Sequence, residues 1–299
     1  MKRRLLDVTP AEAGPLLSVL SARLGVSSAD AEALVRRGAV YLGGRRTQEA
    51  SLRLKAGDRL LVVLEESGHS VLEEGPPLSP LRVLFEDASL LAVDKPAGLP
   101  AIATPGGATS LAALASGHLG HAAGLVHRLD KGTTGLTLFG VTPLSTRALA
   151  ASFREGHVQK QYLAVTGPGL PEAGRVELPL SRDPSRKGRW RASARAHGVT
   201  AVTDFRRLGH SEGHAVCVLW PRTGRTHQLR AHLAALGAPL LGDILYGGAP
   251  VAARPLLHAH ALHVPHPETG AALTLVAEVP EDMVRLFAEA GVRPPEGFL

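Results

Sequence analysis

Cysteine is nearly absent: the 299 residues contain one, Cys217. A single thiol excludes an intramolecular disulfide framework. Its setting, Ala215-Val216-Cys217-Val218-Leu219, predicts a buried core thiol rather than a nucleophile. Long apolar runs are missing as well. Hydrophobic residues make up 44% of the chain, yet no stretch approaches the roughly 20 residues of a membrane span, so no membrane partner is expected. The start, Met1-Lys2-Arg3-Arg4, is basic but has no apolar stretch behind it, which argues against a secretory signal and makes the cytoplasm the expected compartment. The cluster His258-Ala259-His260-Ala261-Leu262-His263 invites a metal reading. No cysteine or second acidic group is placed to complete such a site, so histidines packed under a sheet are expected instead.

Positive charge is present in excess and unevenly placed. Of the net +6, residues 1–64 hold 11 Lys/Arg against 6 Asp/Glu. A surplus concentrated in one small segment points to a polyanion-binding surface. Helical spacing of Leu16, Leu17, Val19, Leu20 and Leu24 predicts a helix ended by Gly25. Ser27 or Ser28 caps a second one, with a core face at Ala29, Ala33 and Leu34 and a basic end at Arg36 and Arg37, stopped by Gly38. Ala39 to Leu42, the turn Gly43-Gly44 and Arg45-Arg46 read as a hairpin, and Arg59 to Leu64 as a closing strand. Two short helices presenting arginines beside a small sheet suit the phosphates of folded RNA. Residues 65–80, rich in Gly, Ser, Pro and Glu, read as a linker.

From residue 81 onward strands and helices alternate. Val83 to Asp87 and Leu90 to Asp94 predict strands, followed by a rigid loop, Lys95-Pro96-Ala97-Gly98-Leu99-Pro100. Ser110 to Leu119 and Leu144 to Phe153 predict helices, and Val158 to Val165 a strand that puts Lys160 and Tyr162 on one face. A cation beside an aromatic there can stack a base and hold its phosphate, although Tyr162 suits a plain core position equally. Residues 181–197 form a basic hairpin or loop, with arginines fit for a nucleic-acid backbone or simply for solvent. Ala215 to Trp220 predicts a strand, and Glu281 to Ala290 a closing helix.

Two blocks carry chemistry. The first is His127-Arg128-Leu129-Asp130-Lys131-Gly132-Thr133-Thr134-Gly135, a Gly- and Thr-rich loop in which a carboxylate is flanked by cations. Nearby cations hold a carboxylate ionised, which suits a nucleophile or a base, while an isolated Asp before Lys-Gly is as readily a turn residue. The second is Thr223-Gly224-Arg225-Thr226-His227-Gln228-Leu229-Arg230. Thr226 is the expected N-cap, Gly237 the stop, and Leu229, Leu233 and Leu236 the buried stripe. Arg230 falls at the margin of that stripe and needs an anionic partner, for which Asp130 is the candidate. Gly242-Asp243-Ile244-Leu245-Tyr246-Gly247 reads as a turn.

Taken together, Leu90 to Gly98, His127 to Gly135, Lys160-Gln161-Tyr162, Thr223 to Arg230 and Leu241-Gly242-Asp243 occur in the order found in the RluA-type pseudouridine synthases, which the chain resembles from about residue 82 to 290. Residues 15–64 resemble an S4-type RNA-binding domain. The resemblance implies domains at 1–64 and 81–299 with the linker between. It implies an α+β fold: a mixed, mostly antiparallel central sheet with flanking helices and a central cleft, beside a small N-terminal α/β domain. It also implies isomerisation of uridine in ribosomal or transfer RNA, by a monomer without cofactor or metal. Asp130 matches the catalytic aspartate and Arg230 the arginine paired with it. Tyr162 matches the ring that stacks on the target base, and Arg128 the arginine that takes the flipped nucleotide's place. His127, Lys160, Arg225, Thr226, Arg36 and Arg37 complete the expected RNA contacts.

Two departures from the family pattern stand out: Thr134 replaces the usual serine while keeping its hydroxyl, and the segment from Ala101 to His121 is short. A non-catalytic RNA-binding protein on the same scaffold would lack Asp130, Tyr162 or Arg230, and all three are present. A phosphotransferase, suggested by the His-Arg-Leu-Asp run, would need a phosphate-cradling glycine loop and a metal-binding partner, and neither is found.

Overall fold

The computed structural model describes residues 2–36, 39–42, 45–47, 49–64, 81–103, 109–194 and 198–299. Contacts divide the chain into two compact units, one carrying the described residues up to 64 together with Ala103 and the other residues 81–102 and 109–299. The expected linker at 65–80, Arg37, Gly38 and the Gly43-Gly44 turn lie outside the described residues.

In the first unit the helices Leu16–Leu24 and Ser28–Arg36 pack on a four-stranded antiparallel sheet. Gly25 ends the first helix in the left-handed region, φ 69°, where glycine is free of Cβ strain. Ser27 accepts from Asp30 N–H at 3.1 Å and so caps the second. Two expectations change. The buried face of the second helix is Ala31, Leu34 and Val35, an i, i+3, i+4 set, whereas Ala29 is exposed. In this Ala-rich segment several stripes are equally apolar, and packing on the sheet selects one. The basic start is itself a strand: Lys2–Asp7 pairs antiparallel with Arg59–Leu64 along its whole length.

The second unit is built on a ten-stranded sheet. Its main path runs Ala173–Val176, Thr203–His210, Ala215–Pro221, Gln159–Thr166, Leu257–Pro265, Thr134–Gly140, Leu90–Lys95 and Arg82–Glu86. Ala272–Val276 and the short Gly124–Leu125 pair off that path. With six helices in the described chain this is a mixed α+β fold. Strands such as Leu90–Lys95 and Thr134–Gly140 are buried on both faces, which explains their unbroken apolar runs. Helices cover the sheet where the sequence provides caps. Thr142 accepts from Ser145 N–H at 3.1 Å and Gly156 stops Pro143–Glu155 at φ 81°. Met283 and Phe287 bury the inner face of Glu281–Glu289. No helix among the described residues is long and apolar enough to cross a membrane.

One pairing among the described strands is parallel: Thr134 beside His258 and Gly135 beside Ala259. Gly135 sits there at φ 108°, and a Cβ on it would fall 2.2 Å from the Ala259 carbonyl oxygen. Both the backbone conformation and the close approach require glycine. Gly135→Ala is therefore expected to destabilise the protein by about 3 kcal/mol, read as a shifted urea midpoint with an unchanged m-value.

Candidate active site

The loop that ends in Thr134–Gly140 is held from beneath. Lys95 is fully buried, and its Nζ donates to the carbonyls of Pro96, Leu99 and Lys131 at 2.9, 3.0 and 3.2 Å. Gly98 N–H also donates to Lys131 O at 2.9 Å. The rigid 95–100 loop is thus tied to the residue after Asp130. Burial, and then the charge of Arg254, pulls the Lys95 ammonium down to about 8. Arg254 in turn reaches the carbonyls of Pro255 and Leu257 at 3.1 Å while Asp282 holds its other side at 2.7 Å.

His127 is placed below this loop. Its Nε2 accepts from Leu138 N–H at 2.9 Å, and its ring stacks on Phe153 with centroids 4.5 Å apart. That nitrogen is occupied, so the residue serves to seat the loop rather than to offer Nε2 to RNA. Burial, then the charge of Lys160, pushes His127 down to about 3. His258, 1% exposed, is likewise pushed to about 3 by burial. Its Nε2 faces Ala277 O at 3.3 Å and its Nδ1 faces the Thr134 hydroxyl at 3.0 Å, so the threonine keeps a hydroxyl partner. Both histidines bind protons more readily when unfolded, near pH 6.5, than when folded. Stability is therefore expected to be complete above about pH 6.5 and to fall as pH drops toward 3, by about 1.4 kcal/mol per pH unit for each histidine. Urea melts at pH 7, 6 and 5 check this, and His258→Gln should flatten the slope.

The second block does not begin its helix where expected. Gln228–Ala235 is capped by His227, in the left-handed region at φ 56° and ψ 17°, with no side-chain cap bond. Thr226 is outside the helix, and its Oγ1 accepts from Arg128 Nη2 at 3.2 Å across the cleft mouth. The reason is Gln228, whose side chain folds back on the preceding loop. Its Oε1 accepts from the Thr223 hydroxyl at 2.7 Å and from Arg225 N–H at 3.0 Å, and its Nε2 donates to Val202 O at 2.9 Å. This loop closure replaces a conventional cap. Arg225 is exposed and donates through Nε to Thr200 O at 3.2 Å.

Arg230 is the centre of the site. Its guanidinium grips Asp243 with two bonds, Nε to Oδ2 at 2.7 Å and Nη2 to Oδ1 at 2.8 Å, and offers Nη1 to Asp130 Oδ2 at 3.2 Å. The expected Asp130 contact exists, but the stronger partner is Asp243, 1% exposed in its side chain against 27% for Asp130. Burial works against the charge on Arg230. The bonds and charge of Asp243, and then Asp130, more than offset it and hold the guanidinium pKa above its ordinary value. Such a fork is rigid, so Arg230 presents Nη1 to Asp130 from a fixed position. The Arg230 guanidinium also lies 5.0 Å from the ring centre of Tyr246.

Above these groups opens a cleft of about 100 Å³, lined by Arg128, Asp130, Tyr162, Gly224, His227, Arg230 and Leu257. Tyr162 comes from Gln159–Thr166 and supplies an aromatic wall. Burial first, then the charge of Asp130, raises its hydroxyl above the usual range. Lys160 is half-buried on the same strand, close to Gly224. Cys217 is fully buried and pushed up to about 12, as a core thiol should be. Arg36 belongs to the other unit, where it pairs with Glu32.

The sequence reading missed Asp243, Tyr246, His227 and Lys95. The run Leu241-Gly242-Asp243 held a signal, since a buried arginine with one half-exposed partner is under-compensated. Lys95 carried none beyond the Lys-Pro-Ala-Gly turn.

Known proteins are similar to this chain in sequence and fold. A family profile described as RNA pseudouridylate synthase matches residues 89–235, which span the Asp130 loop, Tyr162 and Arg230. A ribosomal large subunit pseudouridine synthase D of Xanthomonas campestris is 36% identical over 79% of this chain and 76% of its own length. An uncharacterized RNA pseudouridine synthase of Zymomonas mobilis is 40% identical over 63% of this chain and 89% of its own. Among solved structures, human RNA Pseudouridylate Synthase Domain Containing 4 superposes with a TM-score of 0.59 at 29% identity, covering 72% of this chain and 95% of that one. The chain belongs to the RNA pseudouridylate synthases, enzymes that isomerise uridine in RNA. Within them it is a member of the RluA family.

Proposed function

We propose that Asp130 is the reacting carboxylate and that uridines of large-subunit ribosomal RNA are the substrate. One observation carries the assignment of Asp130: its carboxylate rests on an arginine that is itself locked by Asp243, and it faces a cleft walled by Tyr162. The choice of RNA is supported by the name of the Xanthomonas relative.

Isomerisation breaks the bond from C1′ to N1 of uracil and forms one from C1′ to C5. The electron pair of the broken bond leaves with the uracil, and the C5 proton is lost after the new bond forms. Asp130 either bonds to C1′ as the uracil departs and is later displaced by C5, or removes a proton from the sugar. Both roles need an ionised carboxylate, and Arg230 donates to it at 3.2 Å. The base must leave the stack to reach the cleft, at a cost of a few kcal/mol. Arg128 at the mouth is positioned to fill the vacated place, and Tyr162 to stack on the trapped uracil. Lys160, Arg225 and Thr226 line the approach for phosphates. Substrate and product are isomers, and no step in this scheme calls for a metal or cofactor.

The first unit serves in this reading as an S4-like RNA-binding module, residues 1–64 carrying most of the positive surplus, Arg36 and Arg37 among them. The protein acts as a monomer in the cytoplasm. Pseudouridine mapping of ribosomal and transfer RNA from cells with and without the gene tests this reading. Sites in large-subunit ribosomal RNA should vanish with the gene. Loss confined to transfer RNA would reassign the substrate.

A further inference from the structure

His227 is the one non-glycine residue at positive φ among the described residues. Glycine would occupy that position with less strain, and histidine is among the few side chains found there at all, so the choice of an imidazole invites a reason. Its two nitrogens supply one. Nδ1 lies 3.1 Å from the Tyr246 hydroxyl oxygen. That oxygen accepts from Trp190 N–H at 2.9 Å, and its own proton can be donated to Nδ1. A neutral imidazole that accepts at Nδ1 carries its hydrogen on Nε2. Nε2 lies 3.7 Å from Asp130 Oδ2. The opposite tautomer would turn a lone pair toward a carboxylate.

Arg230 Nη1 reaches the same oxygen, Oδ2, at 3.2 Å. Among the described residues no group donates a hydrogen bond to Oδ1. Arg230 and His227 therefore both lie against one oxygen and leave the other without a donor. We propose that His227 is a positioning residue whose Nε2–H, fixed by Tyr246, holds Oδ2 of Asp130 together with Arg230 and so selects Oδ1 as the oxygen that reacts.

Catalytic hydrogen bonds are often long in the free enzyme and tighten around bound substrate, which is the expected fate of the 3.7 Å gap. The groups facing the imidazole are Asp130, Arg230, Asp243 and Arg128. Burial, the largest influence on His227, lowers its pKa and so favours the neutral form, which can accept at Nδ1 while donating at Nε2. Tyr246 acts one step further out. It touches the imidazole edge-on, with ring centres 5.8 Å apart, and it lies between the guanidiniums of Arg189 and Arg230. The hairpin formed by Leu180–Arg182 and Trp190–Ala192 is thereby connected through Tyr246 to the reacting carboxylate.

The inference rests on the assignment of Asp130. The test uses the full chain in excess over total RNA tritiated at C5 of uridine, prepared from cells lacking the gene. Tritium release gives the single-turnover rate constant, and filter binding gives the Kd. His227→Gly, which relieves the backbone strain, should lower the rate constant about 10- to 100-fold, with Kd within twofold and the melting temperature unchanged or raised. Tyr246→Phe should lower the rate less, and the double variant should be no slower than His227→Gly, because the tyrosine works through the histidine.

A folded His227→Gly that keeps its rate within twofold overturns the inference, as does a loss seen wholly in Kd. So does a double variant whose losses multiply. If His227→Gly does not fold, His227→Asn, which tolerates the left-handed conformation, is judged by the same criteria. Asp130→Asn runs alongside: an active Asp130→Asn removes the underlying assignment and this inference with it. An inactive Asp130→Asn beside a fully active His227→Gly overturns this inference alone.

Discussion

Asp130→Asn is expected to lower the single-turnover rate at least about 10⁴-fold while leaving RNA affinity within a few-fold of wild type. Asparagine fills the same space but is neither a nucleophile toward C1′ nor a base toward the sugar. Removing a covalent or general-base group in other enzymes costs on this scale or more. Folding should survive, because Arg230 keeps both bonds to Asp243 and only the 3.2 Å contact changes character. Tritium release, filter binding and a thermal melt on the same preparation separate these effects. A residual rate within 100-fold of wild type would assign the chemistry to another group.

Asp243→Ala should damage the fold as well as the reaction. The Arg230 side chain is 11% exposed and Asp243 1%, so the substitution strands a guanidinium away from water with half its compensation gone. Breaking a buried pair from one side typically costs about 3–5 kcal/mol. For a domain of this size that is a fall in melting temperature of roughly 6–20 °C. Arg230 would also lose the fork that aims Nη1. Activity should therefore drop about 100-fold even at temperatures where the variant is folded. Asp243→Asn, which preserves one acceptor and the shape, should lie between. A melting temperature unchanged in Asp243→Ala would mean that Asp130 alone satisfies the arginine.

Local devices were legible in the sequence to the extent that each acts over a few residues. Thr142 and Gly156 around one helix, Gly25 after another, and the alternation of strands and helices from residue 81 follow from capping and periodicity. Of the residues singled out for the site, Arg128, Asp130, Tyr162, Arg225 and Arg230 line one cleft, whereas Thr226, His127 and Lys160 do not line it and Arg36 belongs to the other unit. Features set by long-range contacts escaped. The Arg230 fork depends on Asp243, which sits in a turn and has no periodicity to mark it as buried. The helix begins at Gln228 rather than after Thr226 because a glutamine side chain binds the preceding loop. A propensity for capping cannot register that choice. The pairing of Lys2–Asp7 with Arg59–Leu64 joins segments at opposite ends of their unit, and a charged strand gives little apolar alternation to read.

The parallel junction of Thr134 with His258 has a consequence for how the protein is made. These residues are 124 positions apart, and contacts of such separation form late because a long loop must be closed before they are rewarded. A chain growing from the ribosome can complete the first unit once residue 64 has emerged. The loop bearing Asp130 must wait for the strand Leu257–Pro265, which seats Gly135 and Thr134. The nascent polypeptide is therefore without a seated Asp130 loop until the strand Leu257–Pro265 has been synthesised.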